Sequence, residues 1–284
     1  MHLRAGTFTL SLERPLIMGV VNVTPDSFSD GGQYFDAGAA IARAQQLVEE
    51  GADLLDIGGE SSRPGAAPLP LQEELKRVLP VLEACTAFGK PVSIDTYKPE
   101  VMQAAVAAGA SMLNDIWAFQ REGGLKSALG AALGANERGV ALCVMHMQRD
   151  PATMQDNPHY ANVTVEVKTF LAARVAVLVD AGVPREQIVI DPGFGFGKTV
   201  AHNMQLLREL SQFTDLGVAV LAGLSRKSSI GSITGRSNPQ DRIYGSVAAA
   251  LIAAQNGATI LRVHDVAATR DALGILAAVN SKQS

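Results

Sequence analysis

Apolar and polar positions along the chain repeat one pattern eight times: a short, nearly unbroken apolar run that stops abruptly in polar residues. The first is LIMGVVNVTPDSFSDGG at 16–32, apolar through Val21 and then Asn22, Thr24, Asp26, Ser27 and Ser29, with Pro25 barring further strand pairing. The others are LLDIGGESSRPG at 54–65, VSIDTYKP at 92–99, MLNDIW at 112–117, LCVMHM at 142–147, IVIDPGFGFGK at 188–198, VLAGLSRKS at 220–228 and ILRVHD at 260–265. Runs of this kind read as strands buried on both faces, and a helical stretch follows each one. The pattern predicts an α/β fold, a (β/α)8 TIM barrel, whose polar strand ends meet on one rim. Before the first run, TFTLSL at 7–12 alternates like a strand and stops at Pro15. It predicts a short N-terminal β-hairpin plugging the amino-terminal mouth of the barrel.

Between the runs, helices are predicted at 36–50 with Asp36 as N-cap, at about 71–88, from Pro99, at 162–181 closing on Gly182, at 239–256, and in a last segment ending near Val279. The 118–138 stretch carries Gly123, Gly124, Gly130 and Gly134 and predicts a frayed or divided helix. Residues 25–35, rich in Ser, Asp and Gly, have the composition of a mobile lid. Helix 239–256 reads SVAAALIAAQ, with small residues on nearly every face, and expects a close packing partner such as a second subunit.

Composition narrows the picture. The 284 residues sit near the ~250 typical of such a barrel, so one domain over 1–284 is expected. With 47% hydrophobic and 18% charged residues the chain can bury a large core. A net charge of −4 offers no broad basic face and excludes a general nucleic-acid binder. The two cysteines, Cys85 and Cys143, lie in apolar stretches and read as reduced structural thiols. The first fifteen residues lack a signal-peptide core, and no apolar run reaches the roughly 18 residues that span a bilayer, so no membrane role and a cytoplasmic location are expected.

Chemistry divides the strand ends into two groups. Asp56, Asp95, Asn114, Asp115 and Asp191 are acceptors and an amide, suited to a flat heterocycle bearing several N–H donors. Helix capping is an equal alternative for Asp56 and Asp115, whereas binding is favoured for Asp95 and Asp191. The second group is cationic: Arg63, Lys227, Arg262 and His264, from positions where such barrels hold phosphate. Arg226, beside Lys227, reads as a solvated surface cation. Asn22 offers a hard amide oxygen suited to Mg²⁺, although Asn before a turn is commonplace. DPGFGFGK lacks the Walker spacing, which rules out nucleotide hydrolysis; its glycines let Phe194 or Phe196 approach a planar ligand. His146 and His159 have no zinc-ligand spacing with either cysteine and read as structural.

Taken in order, NVTPDSFSDGG at 22–32, GGESSRPGA at 58–66, SIDTYKPEV at 93–101, LNDI at 113–116, MHMQ at 145–148, DPGFGFGK, SRKS and RVHD resemble the bacterial dihydropteroate synthases. The resemblance runs from about residue 16 to 275. It implies condensation of a dihydropterin pyrophosphate with p-aminobenzoate in folate synthesis, with Mg²⁺, in a homodimeric enzyme that is the sulfonamide target. It implies that Asp95, Asn114, Asp191 and Lys227 hold the pterin, and that Asn22, Arg262 and His264 hold metal and pyrophosphate. Ser62, Arg63, Pro64, Phe28, Phe196 and Ser228 would border the p-aminobenzoate site, with Asp95, Lys227 and Arg63 as the catalytic set. Two positions depart from the family pattern: Ser62 stands where threonine is usual, and Trp117 follows DI. A corrinoid-dependent pterin methyltransferase and a silent pterin-binding paralogue are the rival readings.

Overall fold

In a computed structural model, described here for residues 1–24, 37–61, 65–134 and 139–281, eight parallel strands close into a barrel. The expected lid at 25–35 and Asp36 lie outside the described residues. The chain begins with an antiparallel hairpin, β1 (His2–Ala5) and β2 (Phe8–Ser11), one strand earlier than the 7–12 pattern alone suggested. Then come β3 (Leu16–Asn22), α1 (Ala37–Glu49), β4 (Leu54–Gly58), α2 (Leu71–Thr86), β5 (Val92–Asp95), α3 (Pro99–Ala107), β6 (Met112–Asp115) and α4 (Gly124–Leu133). The second half runs β7 (Ala141–Met145), α5 (Val163–Asp180), β8 (Ile188–Asp191), α6 (Val200–Arg208), β9 (Ala219–Ala222), α7 (Ser228–Thr234), α8 (Ile243–Gln255), β10 (Ile260–Val263) and α9 (Val266–Asn280). β10 pairs with both β9 and β3, which closes the ring.

Local chemistry sets several boundaries. Pro99 opens α3 at a position where a missing N–H costs nothing. Asn162 caps α5 by accepting from the Thr164 and Val165 amides. In the glycine-rich 118–138 stretch, helix survives only as α4, and 135–138 lie outside the described residues.

Register decides which side chains face the barrel interior. Parallel partners share a side, so Met18 aligns with Leu54 and Arg262, Asp56 with Ser93, Asp95 with Asn114, Asn114 with Cys143, and Met145 with Asp191. The lower interior is apolar: Leu16, Met18, Leu54, Met112, Ala141, Cys143, Val189, Ala219, Leu221 and Ile260 form one cluster. Leu3, Ala5 and Leu12 join it, so the hairpin is the plug its pattern implied. A second cluster, on the opposite parity, glues strands to helices through residues such as Leu113, Leu142, Val144 and Ile190. The barrel therefore has an apolar floor, and any polar side chain of interior parity near the strand ends lies above it.

Candidate active site

Interior parity selects Asp56, Asp95, Asn114 and Asp191 from β4, β5, β6 and β8, and Arg262 from β10. Asp115 is one residue out of phase. Its carboxylate accepts from the Trp117 and Phe119 amides, at 2.8 and 2.7 Å, and holds a turn in which Ala118 and Phe119 are both left-handed. Capping is thus its role. Asp56 caps nothing: fully buried, it accepts from Arg262 Nε at 2.6 Å and from Asn114 Nδ2 at 3.4 Å. Its second oxygen has no hydrogen-bond partner, so the equal alternative of capping is overturned.

Arg262 is where the two groups expected from sequence meet. Its Nη2 donates to Asp95 Oδ2 at 2.9 Å while its Nε holds Asp56, so the guanidinium in this ligand-free state bridges two acids. Burial alone would lower its pKa, but Asp56 and Asp95 more than reverse that, and it stays charged. Asp95 is pushed up to about 7 by burial, with Arg262 opposing and Asp56 reinforcing the shift. Asp191 is also raised by burial, held back by Lys227 and by the Gly193 amide that donates to it at 2.7 Å.

Lys227 projects from the loop after β9 into the same mouth. Its ammonium donates to the Phe194 carbonyl and stands 4.7 Å from the centre of the Phe196 ring. Burial lowers its pKa to about 8 against the pull of Asp191. Phe194 is buried in the core, so of the two loop phenylalanines only half-buried Phe196 is placed to meet a ligand.

His264 was counted with the cations, and the structure corrects this. Burial first, and Arg262 second, depress its pKa to about 3, so the ring is neutral. Its Nδ1 lies 3.0 Å from Ser225 Oγ, which also accepts from the His264 amide. Arg226 is no solvated cation: its Nε and Nη2 fork onto Asp265 at 3.0 and 2.5 Å. Ser225–His264 and Arg226–Asp265 thus zip the β9 and β10 loops together, and sequence gave no signal of that pairing. Ser228 is exposed and opens α7, a helix the apolar pattern did not foresee.

His146 is the structural residue expected, its ring 3.0 Å from buried Lys198 and held neutral, at about 3, by burial and that lysine. His159 is exposed, its main chain hydrogen-bonded to the Gln148 side chain. Phe28, Ser62, Arg63 and Pro64 lie outside the described residues. Asn22 ends β3 at interior parity, level with Gly58 and so with Asp95. No group of three or more His, Cys, Asp or Glu among the described residues is disposed to hold a metal. A lone amide oxygen fits Mg²⁺ only where phosphates and water complete the shell.

A carboxylate-and-amide cradle beside an aromatic wall and two cations suits a planar heterocycle carrying an anionic group. The fold and this cradle are those of the pterin-binding enzymes, whose family model, Pterin binding enzyme, matches residues 18–264. A dihydropteroate synthase of Haemophilus influenzae is 49% identical over 276 residues, 97% of this chain and 98% of that protein. The structure of Xanthomonas albilineans dihydropteroate synthase with 4-aminobenzoic acid aligns with a TM-score of 0.91 and 52% identity over 99% of both chains. Its complex with 7,8-dihydropteroate aligns at 0.89 and 50% over 100% of both. The chain belongs to the dihydropteroate synthases, and this likeness sets the corrinoid methyltransferase reading aside.

Proposed function

We propose a residue-by-residue account of the synthase reaction, in which 6-hydroxymethyl-7,8-dihydropterin pyrophosphate and p-aminobenzoate yield 7,8-dihydropteroate and pyrophosphate within one barrel domain, 1–284. Asp95, Asn114 and Asp191 bind the pterin N–H edge, Asp56 backs them from below, and Lys227 closes the cradle on the side of Phe196. Arg262 and neutral His264 hold the pyrophosphate, and Asn22 holds Mg²⁺ through the substrate's phosphates. Bound there, the ion would offset charge on the leaving group. The C–O bond breaks with its electron pair departing on pyrophosphate, and the acids favour the cationic methylene left behind. The arylamine lone pair then forms the C–N bond and its surplus proton passes to solvent. Phe196 and Ser228, with Phe28, Ser62, Arg63 and Pro64, border the arylamine; Arg63 joins Asp95 and Lys227 as a catalytic residue.

The observation that carries this account is Arg262, whose guanidinium already spans Asp56 and Asp95 and stands two residues from His264 on one strand end. The assay is pyrophosphate release with both substrates, followed across pH. Asp95 must be ionised to accept from the pterin and Lys227 must be protonated to assist the anion. Hence kcat/KM should fall below about 7 and again above about 8. A profile flat from about pH 5 to 9, or release without p-aminobenzoate at the full rate, would contradict the assignment.

The homodimer rests on α8, where Tyr244, Ala248 and Ile252 recur at helical spacing with Tyr244 87% and Ile252 44% exposed. Ile233 adds an exposed side chain on α7, which packs against α8. Tyr244→Asp is expected to shift sedimentation from dimer to monomer; an unchanged dimer would place the interface elsewhere. Cytoplasmic residence is supported by the two buried free thiols of Cys85 and Cys143. No helix among the described residues is long and apolar enough to cross a membrane.

A further inference from the structure

The loop from β8 to α6 has an unusual way of satisfying its backbone. Gly193, Gly195 and Gly197 are left-handed, with φ of 71°, 81° and 62°, and a Cβ at Gly193 would meet the His146 carbonyl at 1.9 Å. The alternation leaves every carbonyl from 193 to 197 facing a side-chain donor rather than the main-chain ladder of a helix or strand. Gly193 and Phe196 carbonyls both accept from Lys198 Nζ at 2.9 Å. The Phe194 carbonyl accepts from Lys227, the Gly195 carbonyl from Gln155 at 2.6 Å, and the Gly197 carbonyl from the Tyr160 hydroxyl at 2.8 Å.

Lys198 holds the centre of this arrangement. It is 3% exposed, and among the described residues no carboxylate stands within ion-pair distance. Its ammonium instead faces four acceptors, the two loop carbonyls, the His146 carbonyl at 3.2 Å and His146 Nδ1 at 3.0 Å. A buried cation without a counter-ion is costly unless its donors are fully used, so this one survives by folding the loop around itself. Its attachment to the Phe196 carbonyl fixes the residue whose ring lies under Lys227, and its attachment to the Gly193 carbonyl fixes the turn that presents the Phe194 carbonyl to Lys227.

We propose that Lys198 is a positioning residue of the synthase: it touches neither substrate, but sets the Phe196 ring as the wall of the arylamine site and the Phe194 carbonyl as the seat of Lys227. The proposal rests on the reading of Phe196 as that wall. It separates two substrates, because the pterin cradle is built on β4, β5, β6 and β8 while the wall hangs from this loop alone. Loosening the loop should therefore weaken p-aminobenzoate and spare the pterin.

The test uses the full chain with steady-state kinetics in both substrates, comparing Lys198→Met, Phe196→Ala and their combination. Lys198→Met keeps length and loses all three donors. It is expected to raise KM for p-aminobenzoate about tenfold, with KM for dihydropterin pyrophosphate within about threefold of wild type. Adding it to Phe196→Ala should then raise KM by no more than about threefold, since the wall is already gone. A folded Lys198→Met that leaves the p-aminobenzoate KM unchanged, or raises both KM values equally, overturns the role of Lys198. If Phe196→Ala itself leaves that KM unchanged, the wall reading fails and the proposal with it. Should Lys198→Met not fold, Tyr160→Phe, which strips the donor from the Gly197 carbonyl, is read by the same criterion. A rise of about threefold or more supports the loop's role, and no rise overturns it.

Discussion

Arg262→Met is expected to lower kcat/KM for dihydropterin pyrophosphate by about a thousandfold or more, and to cost about 3–5 kcal/mol of stability at neutral pH. The two effects have one origin. In the free protein the guanidinium neutralises Asp56 and Asp95 at 2.6 and 2.9 Å, and in the working enzyme it faces the pyrophosphate. Methionine fills the stem's volume but leaves two buried acids without their counter-charge. Asp95 stands at about 7 even with Arg262 beside it, and losing that neighbour raises it further. An acid whose folded pKa lies above its unfolded value near 4 contributes stability fully below that value and loses it as pH rises through the folded pKa. The variant's deficit should therefore be full at about pH 8 and shrink towards pH 4. Urea midpoints at about pH 5 and 8, set beside kinetics, check both halves. An equal deficit at both pH values, or activity within tenfold of wild type, would show that Arg262 serves neither purpose.

That bridge also shows where sequence reading reached its limit. The eight apolar runs located every barrel strand, because strands buried on both faces advertise themselves by continuity. The polar residue at each strand end was equally visible. What the sequence did not carry was parity across strands: Asn114 and Asp115 are neighbours in the chain, yet one faces the cavity and the other holds a turn. Asp56 lies two residues before the end of its strand, where a cap and a cavity acid look alike in one dimension. Arg262 was grouped with the anion grip by charge type, and only tertiary placement reveals that its first partners are acids. The neutrality of His264 likewise follows from burial beside Arg262, which composition cannot supply. Lys198 drew no notice because it ends a glycine-rich motif whose interest lay in its glycines.

Those misses share a physical reason. Each concerns a residue whose role is set by a partner far along the chain: Arg262 to Asp56 spans 206 positions, Arg226 to Asp265 spans 39, and Lys198 to His146 spans 52. Periodicity reports only what neighbouring residues do. The β9 and β10 loops are bound together through Ser225–His264 and Arg226–Asp265, so the anion side of the mouth behaves as one piece. The cradle side is rigid by strand pairing. Lys227 is the side chain that reaches from the first piece onto the second.

Lys227→Met should accordingly strike the chemical step. A drop in kcat of about a hundredfold to a thousandfold is expected, the range for losing one charged donor in a water-poor site. The ammonium lies between the field of Asp191 and the Phe196 ring, so it borders both the pterin cradle and the arylamine wall. Replacing it removes the group whose pKa, lowered by burial to about 8, sets the alkaline limb, and that limb should vanish from kcat/KM. Asp191, deprived of the cation that holds its pKa back, should ionise at still higher pH and shift the acid limb upward. Three readouts thus move together: kcat falls, the alkaline limb disappears and the acid limb rises. If kcat stays within about threefold and the alkaline limb persists, the titrating cation is another group, and Lys227 does no more than pin the Phe194 carbonyl.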